Sequence, residues 1–290
     1  MDNLRGAALM VLAMIGFALE DMLIKFMAAD LPVGQIVGML GLGSALVLAP
    51  VLILRREPLF SRDMMTLPIA LRALGELVGT IGFVTAIALI PLSTASAILQ
   101  ANPLVVTLGA ALFLKEAVGW RRWSAILVGF CGVLMIIRPG FDGFSWESLF
   151  AVQGVFGLAL RDLATRRVPP RTSSLQLSFL AFIVLIPTAA IMLILGDTPM
   201  VPVSPQNAVW LGLALMIGIV GYYAIVAAMR VGEVSFVTPF RYSRILFALM
   251  IGVGVFGEEP DAMTLTGAAV IVASGLYTLW RERNVRANSG

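Results

Sequence analysis

The chain has 290 residues, 59% of them hydrophobic and 13% charged, with a mean hydropathy of +0.96, whereas soluble domains run at about 45–50% apolar and about 25% charged. That balance leaves too little polar surface to face water, so an integral membrane protein is expected. The net charge of +3 gives no sign of a nucleic-acid partner, the single Cys131 excludes an internal disulfide or a cysteine metal cluster, and the lack of histidine removes histidine-dependent hydrolysis and most transition-metal sites.

A membrane span needs about 20 mostly apolar residues, and ten such stretches follow one another. The first, roughly 4–28, starts almost at Met1, carries Glu20, Asp21 and Lys25, and has no small-residue cleavage site. It is expected to be a retained span, not a signal peptide. The second covers roughly 33–54, and the third, roughly 65–90, carries Arg72 and Glu76. A break at Ile90-Pro91-Leu92 opens the fourth, roughly 92–113, in which Gln100 and Asn102 precede Pro103. The fifth, roughly 120–138, lacks internal charge, whereas the sixth, roughly 146–166, holds Arg161 and Asp162. The seventh covers roughly 173–195, and the eighth, roughly 206–230, contains Tyr222 and Tyr223 after Gly221. Pro239, Arg241, Tyr242 and Arg244 lie in the ninth, roughly 234–256, and the tenth runs roughly 262–281.

Threading these spans alternately places Arg5, Arg55, Arg56, Arg62, Lys115, Arg121, Arg122, Arg166, Arg167, Arg171, Arg230, Arg281, Arg283 and Arg286 on one side, and only Arg138 in the loops of the other. Fourteen against one puts both termini in the cytoplasm by the positive-inside rule. The opposite loops carry Asp30, Asp142, Glu147, Asp197, Glu258, Glu259 and Asp261.

The segments FALEDMLIK (Phe17–Lys25) and LALRDLATR (Leu158–Arg166) align at an offset of 141, setting Asp21 on Asp162. An offset of 142 sets Ser93 on Ser235, Glu116 on Glu258 and Ala125 on Gly267. The expected organisation is two five-helix repeats, residues 1–141 and 142–290, the second inverted because five is odd. Inverted repeats supply two related conformations around a site near the repeat interface.

The paired ends FLKE at Glu116 and VFGE at Glu258, with PLVVTLGAALFLKE (Pro103–Glu116), WRRWSAILVGFCGVLMIIRPG (Trp120–Gly140) and TPFRYSRILFALMIGVGVFGEEPD (Thr238–Asp261), resemble the drug/metabolite transporter superfamily, in particular its ten-span EamA-type members. Within that group, LRALG (Leu71–Gly75) and the Pro239–Tyr242 stretch are similar to bacterial carriers of riboflavin and of S-adenosylmethionine. The resemblance implies an all-α fold of ten helices and secondary transport of a small organic metabolite across a bacterial-type inner membrane, with no cofactor.

Each intramembrane charge costs about 2.5–3.5 kcal/mol at mid-depth, so each must face a pathway or a partner. Arg72 and Glu76, four apart, share a helix face and are within ion-pairing reach; they either line a cavity or form a structural pair. Arg241 and Arg244 have no acidic neighbour on their own helix and need Glu76, Asp21, Asp162 or an anionic ligand. Gln100 and Asn102 hydrogen-bond either a ligand or a neighbouring helix. The expected substrate-binding set is Arg72, Glu76, Gln100, Asn102, Tyr223, Arg241, Tyr242 and Arg244, with Arg72, Arg241 and Tyr242 meeting near mid-membrane. Glu20, Asp21, Arg161 and Asp162 are expected to tie the halves together, through Lys25 and Arg161, or to carry protons. Glu76 is the first candidate for proton coupling. Glu116, Glu258 and Glu259 are read as structural caps or ion-pair anchors. The alternative function is a membrane-embedded enzyme acting on lipid-linked substrates; scattered carboxylates without histidine count against it, and no GxxxxGK[ST] motif is present for ATP hydrolysis.

Overall fold

The computed structural model describes residues 2–61, 64–113, 119–140, 144–169, 171–197, 199–231 and 234–287. Arg62, Lys115, Glu116 and Asp142 lie outside the described residues, as do the side chains of Arg122, Arg230, Ser235 and residues 281–287. Every described element is helical: α1 (Asp2–Met27), α2 (Val33–Leu54), α3 (Leu67–Leu89), α4 (Leu92–Leu99), α5 (Asn102–Phe113), α6 (Trp120–Ile137), α7 (Ser148–Thr165), α8 (Ser174–Leu195), α9 (Pro205–Val231), α10 (Val234–Val237), a 3-10 turn (Thr238–Tyr242), α11 (Ser243–Phe256) and α12 (Ala262–Ala287). Helices satisfy their own backbone groups, which a hydrocarbon environment demands.

These elements form ten spans. Eight are long and apolar enough to cross a membrane on length and composition. The fifth span, α6, contributes a shorter apolar stretch, Trp123–Ile137. The sixth, α7, has 18 residues and is made less apolar by Arg161 and Asp162. The fourth and ninth spans are each built from two helical pieces. In the fourth, α4 tightens into three-residue bonds at Gln100 and Ala101 before Pro103, which has no N–H to continue the ladder. In the ninth, Pro239 lies in the 3-10 turn that leads into α11.

The helix pairing obeys a two-fold exchange. The third span packs along the sixth, and the first along the eighth; exchanging the two five-helix halves converts one pair into the other. The second packs on the seventh, the fourth on the ninth and the fifth on the tenth, so each of these pairs maps onto itself. Two inverted-topology repeats account for this pattern. Glycine seams repeat it in detail: in the α1–α9 seam a Cβ on Gly16 would meet Gly221 Cα at 3.4 Å, and in the α3–α7 seam a Cβ on Gly157 would meet Gly79 Cα at 2.5 Å. Gly16 and Gly157 are 141 apart, and Gly79 and Gly221 are 142 apart.

The α3–α4 junction is clamped by opposite charges. Lys25 Nζ donates to the carbonyls of Ile87 (3.1 Å) and Ile90 (2.6 Å), satisfying the end of α3. Glu258 accepts from the backbone N–H of Leu92 (2.5 Å) and Ser93 (2.9 Å), capping α4, and lies 3.8 Å from Lys25. Gly257 makes this possible: at φ 63° it ends α11 in the left-handed region that favours glycine and turns Glu258 back toward α4. Glu258 is thus the cap expected from the sequence, while Glu259 is exposed.

Candidate functional site

The intramembrane charges come from the first, third, sixth and ninth spans, and polar side chains of the fourth and eighth, Gln100, Asn102 and Tyr222, join them. Arg161 sits at their centre, its guanidinium bonding Glu76 on α3 (3.3 Å) and Asp162 on its own helix (2.9 and 3.0 Å). Asp162 Oδ2 also accepts from Asn102 Nδ2 on α5 (3.0 Å) and lies 3.6 Å from Arg241 Nη2. A second centre joins Asp21 on α1 to Arg244 on α11 at 2.6 Å, with the Arg244 guanidinium over the rings of Phe17 (5.5 Å) and Phe83 (5.1 Å). Sharing charge among several partners lowers the cost of keeping them out of water, while removal of one member strands another.

The repeat relation runs through the chemistry. Asp21 and Asp162 are 141 apart; Asn102 and Arg244 are 142 apart. Each aspartate therefore reaches from one half to the residue just after the helix break of the other: Asp21 to Arg244, Asp162 to Asn102. Gln100 and Tyr242, also 142 apart, meet directly, Gln100 Nε2 donating to the Tyr242 carbonyl at 3.0 Å. Residues related by the exchange can touch only close to its axis, so this bond marks the centre of the fold.

Several placements differ from the sequence reading. Glu76 pairs with Arg161, whereas Arg72 turns to the eighth span and donates to Tyr222 Oη (3.1 Å). A residue four positions away on the same helix competes poorly with a partner across a tight glycine seam: a Cβ on Gly75 would lie 2.5 Å from Arg161 N. Tyr222 takes the inner position, with Phe17 and Phe182 around its ring, and Tyr223 is 68% exposed on the other side of α9. Tyr242 is buried, but its hydroxyl packs toward Gly275 of α12, away from Arg72. The expected convergence of Arg72, Arg241 and Tyr242 side chains is thus replaced by a chain running from Glu76 through Arg161 and Asp162 to Arg241. Asp21 crosses the halves through Arg244, not through Lys25, which is engaged at the α3–α4 junction. Tyr222 is the inward residue absent from the expected set; its tyrosine neighbour gave the sequence no means of choosing between the two faces.

Capacity for a ligand remains at specific atoms. Arg72 Nε, Glu76 Oε2, Asn102 Oδ1 and Arg244 Nε are buried without a hydrogen-bond partner. The Arg241 side chain keeps 28% of its exposure, the largest of the ion-paired arginines in the cluster. Its 3.6 Å contact with Asp162 is a loose pair.

Comparison with known proteins adds to this geometry. Residues 4–138 and 145–280 each match the model of the EamA-like transporter family. The chain is 33% identical over 207 residues to a riboflavin transporter of Vibrio cholerae, covering 68% of this chain and 67% of that protein. It is 31% identical to the pseudopaline exporter CntI of Pseudomonas aeruginosa over 281 residues, 93% of this chain and 94% of that one. An S-adenosylmethionine uptake transporter of Rickettsia felis is 23% identical over 288 residues, 97% and 94% of the two chains. A solved crystal structure shares the fold with a TM-score of 0.57, over 94% of this chain and 98% of the other, at 18% identity.

Proposed function

The chain belongs to the EamA-like transporter family, and from that premise we propose that it moves an anionic, zwitterionic or planar polar metabolite across a bacterial inner membrane by alternating access, with both termini cytoplasmic. The protein is a multi-pass membrane transporter of small molecules and not an enzyme. The finer reading rests on one observation above all: a continuous ionic chain, Glu76–Arg161–Asp162–Arg241, joins the halves beside two interrupted helices.

Arginine offers planar, forked donors to carboxylates and phosphates and stacks on flat rings. Arg72 keeps an unpartnered Nε and Arg241 is the most exposed of the ion-paired arginines in the cluster, so these two receive the acidic or planar polar part of the substrate. When an anion takes over part of Arg241, Asp162 keeps Arg161 and Asn102 as partners, and the tie between the sixth and ninth spans loosens. The breaks at Gln100–Ala101 and Thr238–Tyr242 then let the outer parts of the fourth and ninth spans change direction without unzipping a continuous helix. Glu76, one oxygen on Arg161 and one without a partner, is the group that carries a proton if transport is proton-coupled.

The test is uptake of labelled S-adenosylmethionine and riboflavin into vesicles containing the purified protein alone. Arg241→Ala is expected to abolish uptake at equal membrane content, and Glu76→Gln to flatten its dependence on pH. Wild-type rates in both variants would make the charges purely structural.

A further inference from the structure

The two equivalent glycine seams differ in the charges they bring together. In the α3–α7 seam, Arg161 meets Glu76 at 3.3 Å. The repeat-related residues in the α1–α9 seam are Glu20, 141 before Arg161, and Gly218, 142 after Glu76. Glu20 lies against that glycine: a Cβ on Gly218 would be 2.6 Å from Glu20 Oε1. This seam is also built on glycine, though less tightly: Gly16, one turn before Glu20, packs on Gly221 with 3.4 Å left for a Cβ, against 2.5 Å between Gly157 and Gly79. So a charge pair in one half is matched in the other by a carboxylate facing bare backbone.

Neighbouring cations are committed elsewhere. Arg244 bonds Asp21 at 2.6 Å, and Lys25 serves Ile87, Ile90 and Glu258. Among the described residues, no cation lies within ion-pairing distance of Glu20. With Glu20 ionised, the two centres carry opposite excess charge. Arg72, Arg161 and Arg241 outnumber Glu76 and Asp162 by one, while Glu20 and Asp21 outnumber Arg244 by one. Lys25 and Glu258 balance each other at the junction. A site with a positive pole on one seam and a negative pole on the other matches a molecule that carries both charges, since an unneutralised carboxylate at this depth is unfavourable by at least the insertion cost given above.

We propose that Glu20 is a specificity-determining residue that receives the positively charged group of the substrate, an ammonium or sulfonium, while Arg241 and Arg72 receive its acidic group. The inference rests on the carrier reading above and selects the zwitterions from its substrate range.

The experiment measures ligand-induced thermal stabilisation of the full-length, detergent-solubilised protein with three probes: S-adenosylmethionine, which bears carboxylate, ammonium and sulfonium; riboflavin, planar and uncharged; and riboflavin 5′-phosphate, planar and anionic. Wild type is expected to bind S-adenosylmethionine most tightly. Glu20→Gln should weaken that binding by about tenfold or more, the loss of one charge-assisted contact, and leave the two flavins unchanged; Glu20→Asp should retain most of the affinity. A wild-type preference for either flavin overturns the proposal, as does unchanged S-adenosylmethionine binding in Glu20→Gln. Should flavin binding depend on Arg241 while Glu20→Gln has no effect, the carrier reading stands and this inference alone falls. If no probe stabilises the wild type and none is taken up by vesicles, the proposed substrate range falls and the inference with it.

Discussion

Asp21 and Arg244 form the shortest ion pair between helices within the charged centre, 2.6 Å between the first and ninth spans. Removing one member of a buried pair strands the other, at about 3–5 kcal/mol, whereas removing both with apolar replacements can be close to neutral. Asp21→Ala should therefore lower the melting temperature of the solubilised protein more than the double variant with Arg244→Leu does. A double variant as unstable as the sum of the single ones would show that the two side chains act independently. The sequence disclosed which residues carried charge at depth but not how they pair. Partner choice depends on which helix faces approach most closely, and the glycines that set those approaches look alike in a list of apolar residues.

Helix ends carry their own chemistry. Glu258 supplies both cap bonds of α4 and balances Lys25, so Glu258→Ala removes a cap, at about 0.5–2 kcal/mol, and leaves the lysine among carbonyls. Reduced melting temperature and faster amide exchange at Leu92 and Ser93 are expected; unchanged exchange there would refute the capping role. Asp261 plays a similar part at the start of α12, accepting from Thr264 N at 2.8 Å and from the Arg138 guanidinium. The hydrogen bond from Arg138, followed by those from Thr264, holds its carboxyl well below the usual carboxylate range. A depressed carboxyl stabilises the fold above its unfolded pKa, and that stabilisation disappears as pH falls toward the folded value. With the side chain 51% exposed, the effect is at most about 1 kcal/mol. The gap in melting temperature between wild type and Asp261→Asn should be constant from neutral pH to about pH 4 and narrow below that. A gap that widens on acidification would contradict this origin.

At the scale of the whole molecule, the ten spans were legible because a hydrocarbon solvent demands long apolar stretches, and the structure keeps their ends within a few residues. Even the break at Ile90-Pro91-Leu92 is present, with α3 ending at Leu89 and α4 starting at Leu92. The pairing of Gly16 with Gly221 and of Gly157 with Gly79 was not legible, because the offsets identify equivalent residues and not touching ones. The fourteen-to-one distribution of basic loop residues carries a topological prediction. In a variant with Cys131 replaced by serine, a cysteine at Asp197 or Asp261 should react with an impermeant reagent from outside, and one at Arg56 or Arg167 should not. The reverse pattern would invert the orientation.

The contact of Gln100 with the Tyr242 carbonyl implies something about ancestry and polarity. Two copies of a single five-helix unit assembled as a homodimer would be obliged to present identical side chains on either side of such an axis: two arginines or two asparagines opposite the aspartates, two acids or two bases at the seams. Joining both copies in one polypeptide lifts that obligation. Asn102 can then differ from Arg244, and Glu20 from Arg161, without any rearrangement of the backbone. A covalently fused pair thus gains a built-in electrical direction, and a dipolar cargo can be seated one way round where a symmetric ancestor would have accepted it in either.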